Sequence, residues 1–328
     1  MKANIRDYPL LMRDSLRVHR VVPVFVGGTG RSGTTVVGDL LGNHSQIRTS
    51  TPIEIKFLTN RSGLVDVVFG YDQYIEKKPE SISILNFRTY RKRKQRDQER
   101  LANILAEFNK FIWEKWWDID APPPHGRGLT SGIAKSDLEN LLNKLERDLK
   151  INRKWAARRF MVAFIRKQFE SGKEIYWVET TPMNIPEAKK LQELFPNALF
   201  INMVRDPRDV IASLLTKKWG PTTALEGLDW IEKRLVSGHK ALTAIEPDKK
   251  LTIALEDLAI TNRAATYKKL LDFLKISDEP AMQNFFTHSM TPDAATSGRW
   301  KDEIDSPEFG AGYEAMASRL TKAGIIFQ

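Results

Sequence analysis

Hydrophobic positions along the chain follow two periods, one typical of buried strands and the other typical of amphipathic helices. Short runs rich in branched and aromatic residues predict strands, because a strand inside a parallel sheet is buried on both faces. Most of these runs are separated by stretches with helical spacing, which indicates an α/β protein with a parallel sheet. The predicted strands cover residues 24–26, 47–49, 174–179, 198–204 and 251–255.

Helices are predicted where apolar residues recur at intervals of three and four. The clearest start signal is Asp206, which is followed by Pro207 in the first turn and by Asp209 three residues past the cap. Residues 1–20 are polar and basic, with one possible helix. The other helices predicted between and after the strands cover residues 36–41, 186–195, 223–245, 262–274 and 307–323.

The long interval between the second and third predicted strands is helical in its pattern. Three amphipathic helices are indicated there, over residues 101–116, 138–149 and 155–169. Neither end of the interval carries a Gly/Ser-rich linker. We therefore expect residues 60–173 to form a helical insertion that packs on the sheet as a cap, within a single α/β domain over residues 1–328.

The composition excludes several kinds of chemistry. The chain has 328 residues, of which 41% are hydrophobic, enough for one large α/β domain or two small ones. It contains no cysteine, which excludes disulfides and thiolate catalysis. Its five histidines are not spaced as a ligand pair, so no metal site is predicted.

Hydropathy and charge indicate a cytoplasmic protein with an anionic ligand. Residues 1–20 lack the apolar core of a signal peptide, and no run approaches the ~20 apolar residues of a membrane span. The net charge of +10 favours polyanionic partners. The basic run over residues 88–100 is interpreted as a solvated helix face, and an anionic acceptor, a carrier protein or a lipid surface is the alternative.

Residues 27–33 form a glycine-rich loop between the first predicted strand and the first predicted helix. Glycines let the backbone approach an anion, and the free N–H groups at the start of the following helix point towards it. The order of strand, glycine loop and helix therefore predicts a phosphate- or sulfate-binding site. The expected fold is a three-layer, P-loop-like parallel sheet flanked by helices.

This loop departs from the P-loop of nucleotide triphosphatases, whose pattern is G-x-x-x-x-G-K-[ST]. Gly28 and Gly33 occupy the glycine positions, but Thr34 stands where the lysine is required. The only cation in the loop is Arg31. In those enzymes the lysine contacts the outer phosphates and the next hydroxyl holds magnesium, so the substitution disfavours ATP chemistry.

Two stretches together resemble sulfotransferases that use 3′-phosphoadenosine 5′-phosphosulfate (PAPS). Residues 30–35, Gly-Arg-Ser-Gly-Thr-Thr, are similar to the loop that holds the 5′-phosphosulfate in that family. Residues 202–213 resemble the family's 3′-phosphate segment, in which an arginine at a strand end and a serine on the next helix contact the phosphate. A shorter stretch, residues 298–300, resembles the family's C-terminal Gly-Arg-Trp element near the nucleotide.

The resemblance implies an enzyme that transfers a sulfo group from PAPS to a hydroxyl or amine without a metal. It implies that Arg205 and Ser213 contact the 3′-phosphate and that Trp300 offers a face to adenine. Ser213 lies nearly two helical turns after Asp206, so it returns to the side of the helix that faces the cap. The other residues that the resemblance assigns to PAPS are Gly30, Arg31, Ser32, Gly33, Thr34, Thr35 and Arg299.

The catalytic residues that the resemblance implies are Glu54, Lys56 and Arg31. Glu54 follows the second predicted strand, where the tyrosylprotein and many bacterial sulfotransferases place a glutamate as the general base. Lys56 is a candidate to contact the bridging oxygen or the acceptor. Arg31 would neutralise charge on the leaving phosphate.

One position departs from the family pattern. Thr180 replaces the lysine of a segment usually written Lys-Thr-Pro-x-Asn, so the catalytic ammonium of that position is missing. Lys56 or Arg31 could compensate for it. Glu179 is a second candidate for the base and His44 a third, although a histidine at the end of this helix is commonly structural in the family.

The acceptor is left open by the sequence. The resemblance implies a small-molecule, lipid, glycan or carrier-bound hydroxyl, and no nucleic acid. Two other functions are alternatives: a P-loop kinase of a small hydroxyl compound, and a non-enzymatic basic protein that binds nucleic acid through residues 88–100. Thr34 in the lysine position disfavours the first, and the lack of a recognised nucleic-acid module disfavours the second.

Overall fold

The computed structural model describes residues 21–70, 87–119, 128–169, 173–304 and 306–328. The possible helix within residues 1–20 lies outside the described residues, as do the side chains of residues 87–94 in the basic run. The chain divides by its internal contacts into two compact units. Of the described residues, the first unit contains those up to Ile53 and from Phe169 onwards, and the second contains those within Glu54–Gln168.

The first unit is built on a five-stranded sheet. The strands are β1 (Val22–Gly28), β2 (Ile47–Thr49), β3 (Tyr176–Glu179), β4 (Leu199–Val204) and β5 (Lys250–Ala254). All neighbouring strands are parallel, and their order across the sheet is β2-β3-β1-β4-β5, with β1 in the centre. The prediction of a parallel sheet with these five strands is confirmed.

Helices follow the strands as the periodicity predicts. Asp206 caps its helix as expected, because its side chain accepts a hydrogen bond from the Arg208 backbone N–H at 2.9 Å. The described α-helices are α1 (Thr34–Gly42), α2 (Leu64–Phe69), α3 (Phe87–Phe111), α4 (Lys135–Leu149), α5 (Arg153–Gln168), α6 (Ala188–Leu194), α7 (Pro207–Leu215), α8 (Ala224–Thr243), α9 (Arg263–Leu274), α10 (Pro280–Ser289), α11 (Pro292–Ala295), α12 (Trp300–Glu303) and α13 (Pro307–Lys322).

Helices cover both faces of the sheet. Successive side chains of a strand point to opposite faces, so one strand packs on both sides of the sheet. On one face, buried residues such as Val24 and Ile201 pack against α1, α9 and α10. On the other face, Phe25 of β1 and Phe200 of β4 contact each other, with ring centroids 5.8 Å apart. A second core joins α7, α8 and α13. The sheet therefore lies between helical layers.

The second unit is helical in its described part and contains α2 to α5. Its core includes Phe57, whose ring packs edge-on against three other phenylalanines, Phe108, Phe160 and Phe164. The closest of these, Phe164, has its ring centroid 5.1 Å from that of Phe57. Aromatic edge-to-face contacts of this kind stabilise a helical core.

The helices predicted in this region are confirmed in their main part. Those predicted over residues 138–149 and 155–169 correspond to α4 and α5. The one predicted over residues 101–116 is the second half of α3, which continues into a π-helical turn at Ile112–Trp116. Among the described helices, none combines the length and the hydrophobicity needed to cross a membrane.

Candidate active site

The glycine-rich loop joins β1 to α1. Gly30 and Gly33 have φ angles of 80° and 89°, in the left-handed region that favours glycine. Gly33 is the N-cap of α1, Thr34 and Thr35 are its first two residues, and no described side chain caps this helix. The N–H groups of the first turn are therefore left for an external acceptor, as an anion site requires.

Gly28 lets this loop lie directly against β4. A Cβ atom at Gly28 would lie 2.2 Å from the carbonyl oxygen of Met203 and 2.9 Å from the Ser32 hydroxyl. Ser32 is fully buried, and its Oγ has no hydrogen-bond partner within the described ranges. An unpaired buried hydroxyl costs about 1–3 kcal/mol, so a phosphate or sulfate oxygen held in the loop would supply a missing partner.

The loop and the 202–213 segment meet in the structure. β1 and β4 are neighbours, so their carboxyl ends lie at the same edge of the sheet. The Arg31 Nε donates to the Ser213 Oγ at 2.9 Å. The Arg205 Nη1 donates to the Arg31 carbonyl at 3.2 Å. Residues predicted to bind opposite ends of one nucleotide are therefore in direct contact.

Arg205 is almost fully buried and holds a second segment as well. Its Nη2 donates to the carbonyl oxygens of Ala295 and Thr296 at 2.9 and 3.0 Å. Its Nε is buried and has no partner among the residues that the structure describes. The guanidinium therefore positions the backbone that leads to the Gly-Arg-Trp element. Its Nε–H is left to donate to a ligand.

Arg205 lies among charges of both signs. Burial is the main cause that lowers the pKa of the Arg205 guanidinium. The carboxylates of Asp209 and Glu256 oppose this shift, whereas the positive charges of Arg299 and Arg31 lower the same pKa further. The two other guanidinium groups thus disfavour the charge of Arg205, and a bound anion beside them would offset that effect.

The buried carboxylate of Asp209 ties α7 to the Gly-Arg-Trp element. Its Oδ2 accepts a hydrogen bond from the Gly298 N–H at 2.8 Å, and its Oδ1 accepts one from the Trp300 N–H at 3.2 Å. The Oδ2 also lies 4.0 Å from the Arg205 Nη2. The sequence interpreted Asp209 as part of the helix cap, but the structure shows that it fixes the third motif beside the first two.

Exchanging Asp209 for asparagine is expected to lower the free energy of unfolding by about 2–3 kcal/mol, measured by urea denaturation. The amide keeps the shape but loses the charge beside Arg205, and its NH₂ group cannot accept a backbone N–H. Asp302→Asn removes an exposed carboxylate of α12 and should change stability by less than about 0.5 kcal/mol. Equal losses in the two variants would contradict this role of Asp209.

The two side chains of the Gly-Arg-Trp element have different surroundings. The Arg208 Cζ lies 4.3 Å from the centroid of the Trp300 ring, a cation–π contact. Arg208 also pairs with Asp206 at 2.7 Å, and this hydrogen bond raises the pKa of Arg208. Arg299 pairs with Glu303 at 2.8 Å. One face of the indole thus contacts a guanidinium, and stacking of adenine on Trp300 stays a prediction.

Glu256 lies at the site although the sequence did not suggest it. It follows β5, and its Oε1 accepts a hydrogen bond from the Asp206 N–H at 3.0 Å. Its Oε2 is buried, with no partner in the described part of the chain. Burial raises the pKa of this carboxyl. The signal that could have found it is its place directly after a buried strand, at the ligand-binding edge of the sheet.

The predicted catalytic residues Glu54 and Lys56 belong to the second unit, in which Glu54 is the first residue. Both side chains are half-buried, and Lys56 has a φ angle of 55°. In the first unit, the carbonyl of Ile53 accepts two hydrogen bonds from Thr180, at 3.2 Å from its N–H and 2.9 Å from its hydroxyl. Thr180 therefore anchors the segment before Glu54, at the position where the family has a lysine.

Glu179, the second candidate for the base, is fully buried at the end of β3. Its Oε1 accepts hydrogen bonds from the N–H and the hydroxyl of Thr181. Its Oε2 accepts one from the Asn184 amide, which also donates to the Val26 carbonyl at 3.0 Å. Both carboxylate oxygens thus hold the turn after β3 against β1, which is a structural role.

His44 is also held in a structural network. Its Nδ1 accepts a hydrogen bond from the Gln46 N–H at 3.1 Å, so the proton lies on Nε2, which donates to the Ser277 carbonyl at 3.1 Å. The ring is buried, and Glu279 lies 3.5 Å from the Nε2. Among the described residues, no group of three or more histidine or acidic side chains could hold a metal ion.

Solved sulfotransferase structures are similar to this chain, and one of them has a TM-score above 0.5. The sulfotransferase domain from the curacin biosynthetic pathway matches with a TM-score of 0.51 and 16% identity, over 92% of this chain and 97% of that chain. The sulfotransferase domain of the Synechococcus PCC 7002 olefin synthase gives a TM-score of 0.47 and 15% identity, over 90% and 94% of the two chains. Sulfotransferase STF9 from Mycobacterium avium gives a TM-score of 0.48 and 14% identity, over 98% and 81%.

Comparison of sequences identifies the family. No curated protein matches the chain. A profile of the sulfotransferase family matches residues 23–280, which include the loop at 30–35 and the segment at 202–213. The matched region covers most of the chain and both motifs that the structure brings into contact, and the protein therefore belongs to the sulfotransferase family.

Proposed function

We propose that this sulfotransferase takes its sulfo group from PAPS and transfers it to a hydroxyl or amine of an acceptor. The observation that carries the proposal is the contact of the glycine-rich loop with the arginine cluster of Arg31, Arg205 and Arg299: Arg31 donates to the Ser213 hydroxyl and Arg205 donates to the Arg31 carbonyl. Planar guanidinium groups bind phosphate and sulfate through paired hydrogen bonds. PAPS carries such groups at both ends, so one molecule could satisfy the loop and the arginine cluster together.

The residues present fit PAPS. The unpartnered Ser32 hydroxyl and the N–H groups at the start of α1 suit the 5′-phosphosulfate, and the unpartnered Arg205 Nε suits the 3′-phosphate. Ser213 lies against Arg31, between these two positions. The residues proposed to hold PAPS are Gly30, Arg31, Ser32, Gly33, Thr34, Thr35, Arg205, Ser213, Arg299 and Trp300.

The chain's own residues supply positioning, charge stabilisation and a base. PAPS supplies the sulfo group, whose bond to the phosphate oxygen breaks as its bond to the acceptor oxygen or nitrogen forms. Arg31 stabilises the negative charge that grows on the departing phosphate. Glu54 accepts the proton of the acceptor, and Lys56 offers a second cation to the bridging oxygen.

Calorimetric titration with 3′-phosphoadenosine 5′-phosphate (PAP), beside 5′-AMP and ATP, tests the donor. We expect PAP to bind at least about 100-fold more tightly than 5′-AMP, because only PAP carries the phosphate assigned to Arg205 and Ser213. Equal affinities would contradict this assignment. Tighter, magnesium-dependent binding of ATP with its consumption would favour a kinase instead.

Exchanging Glu54 for glutamine is expected to lower turnover by about 10²–10⁴-fold while PAP affinity stays nearly unchanged, since a base acts only on the acceptor proton. Turnover is measured as PAP release in the presence of an acceptor found by screening. Glu99→Gln, which changes an exposed residue of α3, is the matched control and should behave as wild type. Wild-type turnover in the Glu54 variant would exclude it as the base.

The acceptor is proposed to be a hydroxyl of a small molecule, a lipid, a glycan or a carrier-bound group, in the cytoplasm. The screen therefore needs one member of each class. Release of PAP with one class and not with the others would identify the acceptor chemistry.

A further inference from the structure

A cavity of about 450 Å³ opens on the first unit. Its walls come from α8, from the sheet and from residues 324–326, and it reaches the glycine-rich loop only at Gly28 and Thr29. Arg31, Arg205 and Ser213 do not line it. The cavity is therefore distinct from the proposed PAPS site, and it falls within the size range of small-molecule sites.

The floor of this cavity is polar where a parallel sheet is normally apolar. Ile201 and Met203 of β4 point into the core under α1 and α9, so Asn202 points to the opposite face. By the same alternation, Thr252 points to that face from β5, between Leu251 and Ile253. The Asn202 amide lies 3.4 Å from the Thr252 hydroxyl, and both residues line the cavity.

The ionisable side chains that line the cavity are those of arginine, lysine and histidine. They are Arg234, His239, Lys250 and Lys269, and no aspartate or glutamate is among the lining residues. The remaining walls include apolar side chains such as Leu235. A site with basic groups on an apolar wall suits an organic anion that has an apolar body.

Arg234 is the strongest indication of an anion. Its Cζ lies 4.6 Å from the centroid of the Trp230 ring, and its Nη1 contacts the Met183 sulfur. A thioether is a weak acceptor, and no carboxylate of the described residues pairs with this guanidinium. Desolvation by burial lowers the pKa of Arg234. A partly buried cation without a counter-ion loses hydration that nothing replaces, and a bound anion would offset that cost.

We propose that this cavity is a second ligand site, which binds an organic anion with an aliphatic body. The anionic head pairs with Arg234 and Lys250, and the body lies along the apolar wall of α8. Lys250 donates to the Leu242 carbonyl at 2.7 Å, which fixes its ammonium at the cavity and leaves two N–H groups for the anion.

Octanoate is a suitable probe, because it joins an anionic head to an aliphatic chain. Octanamide has the same chain without the charge, and inorganic phosphate is an anion without an aliphatic chain. Isothermal titration of the whole chain is expected to show octanoate binding at least about tenfold more tightly than octanamide or phosphate. Saturating PAP should leave octanoate affinity unchanged. Equal binding of octanoate and octanamide, equal binding of phosphate, or displacement by PAP would each overturn the inference.

Arg234→Met keeps the length and apolar stem of the side chain but removes its charge. We expect it to weaken octanoate binding at least about tenfold, with PAP binding retained as proof of folding. Lys233→Met, an exposed change at the next position of α8, is the matched control and should bind as wild type. Thr252→Leu, which fills the floor, should also abolish binding. Wild-type octanoate affinity in both cavity variants would reject the site.

Discussion

Replacing Arg205 by alanine is expected to weaken PAP binding by about 100-fold or more, close to 3 kcal/mol. The substitution removes the guanidinium assigned to the 3′-phosphate. It also releases the carbonyl groups of Arg31, Ala295 and Thr296, which Arg205 holds in place. The direct contact and the positioning of the surrounding backbone are therefore lost together. Calorimetric titration of both proteins with PAP measures the effect.

The ratio of PAP affinity to 5′-AMP affinity separates the loss of the phosphate contact from the loss of backbone positioning. Binding of 5′-AMP needs the loop but not the 3′ contact, so a loss through the loop alone would weaken PAP and 5′-AMP equally. We expect the ratio of PAP to 5′-AMP affinity to fall, which identifies a contact with the phosphate itself. Arg319→Ala is the matched control, because Arg319 is exposed and pairs with Glu232 at 2.7 Å, in α13 and α8. This control should leave both affinities as in wild type.

Replacing Gly28 by alanine is expected to lower the free energy of unfolding by about 3 kcal/mol or more. The new Cβ would lie 2.2 Å from the Met203 carbonyl oxygen, which belongs to the backbone of β4 and cannot rotate away. Gly28 and Met203 are register partners of the two neighbouring strands, so the strands must separate locally. Urea denaturation measures the loss, and PAP binding should weaken with it because the loop begins at this point.

The chain offers a matched control for this substitution. Gly310 lies in α13, and a Cβ atom there would meet nothing within 4 Å. Gly310→Ala is therefore expected to raise the free energy of unfolding by about 0.5–1 kcal/mol, since alanine loses less backbone freedom in a helix. A stabilised Gly28 variant, or two variants with equal stability, would contradict the close approach of β1 and β4.

The strands could be predicted from the sequence because each is a short apolar run between glycines or polar residues. The 250–254 strand and the capped helix after Asp206 illustrate how local these signals are. Helix α10 was not predicted, and only Met282 and Phe286 of its residues are buried, too few for a periodic pattern. The order of strands across the sheet depends on contacts between distant segments, which hydrophobic periodicity does not report.

The candidate site was predicted from two motifs, and the structure adds the residues that join them. Asp209 was interpreted as a cap residue because it follows Asp206 at helical spacing, and its hydrogen bonds to residues 298–300 depend on the tertiary fold. Glu256 lacks any motif around it. The cation–π contact of Arg208 with Trp300 requires a neighbour about ninety positions away. Tertiary partners of this kind cannot be derived from local sequence patterns.

The contacts of Arg205 also determine when the site can form during synthesis. Arg31 contacts Ser213, which is 182 positions away in the sequence. Arg205 contacts Ala295, which is 90 positions away. Contacts between such distant residues close large loops, and they form late in folding. The glycine-rich loop and the sequence of α1 leave the ribosomal exit tunnel long before Ala295 does. The proposed nucleotide binding therefore requires this segment to have emerged, and PAP added to stalled nascent chains should bind only those whose Trp300 has left the exit tunnel.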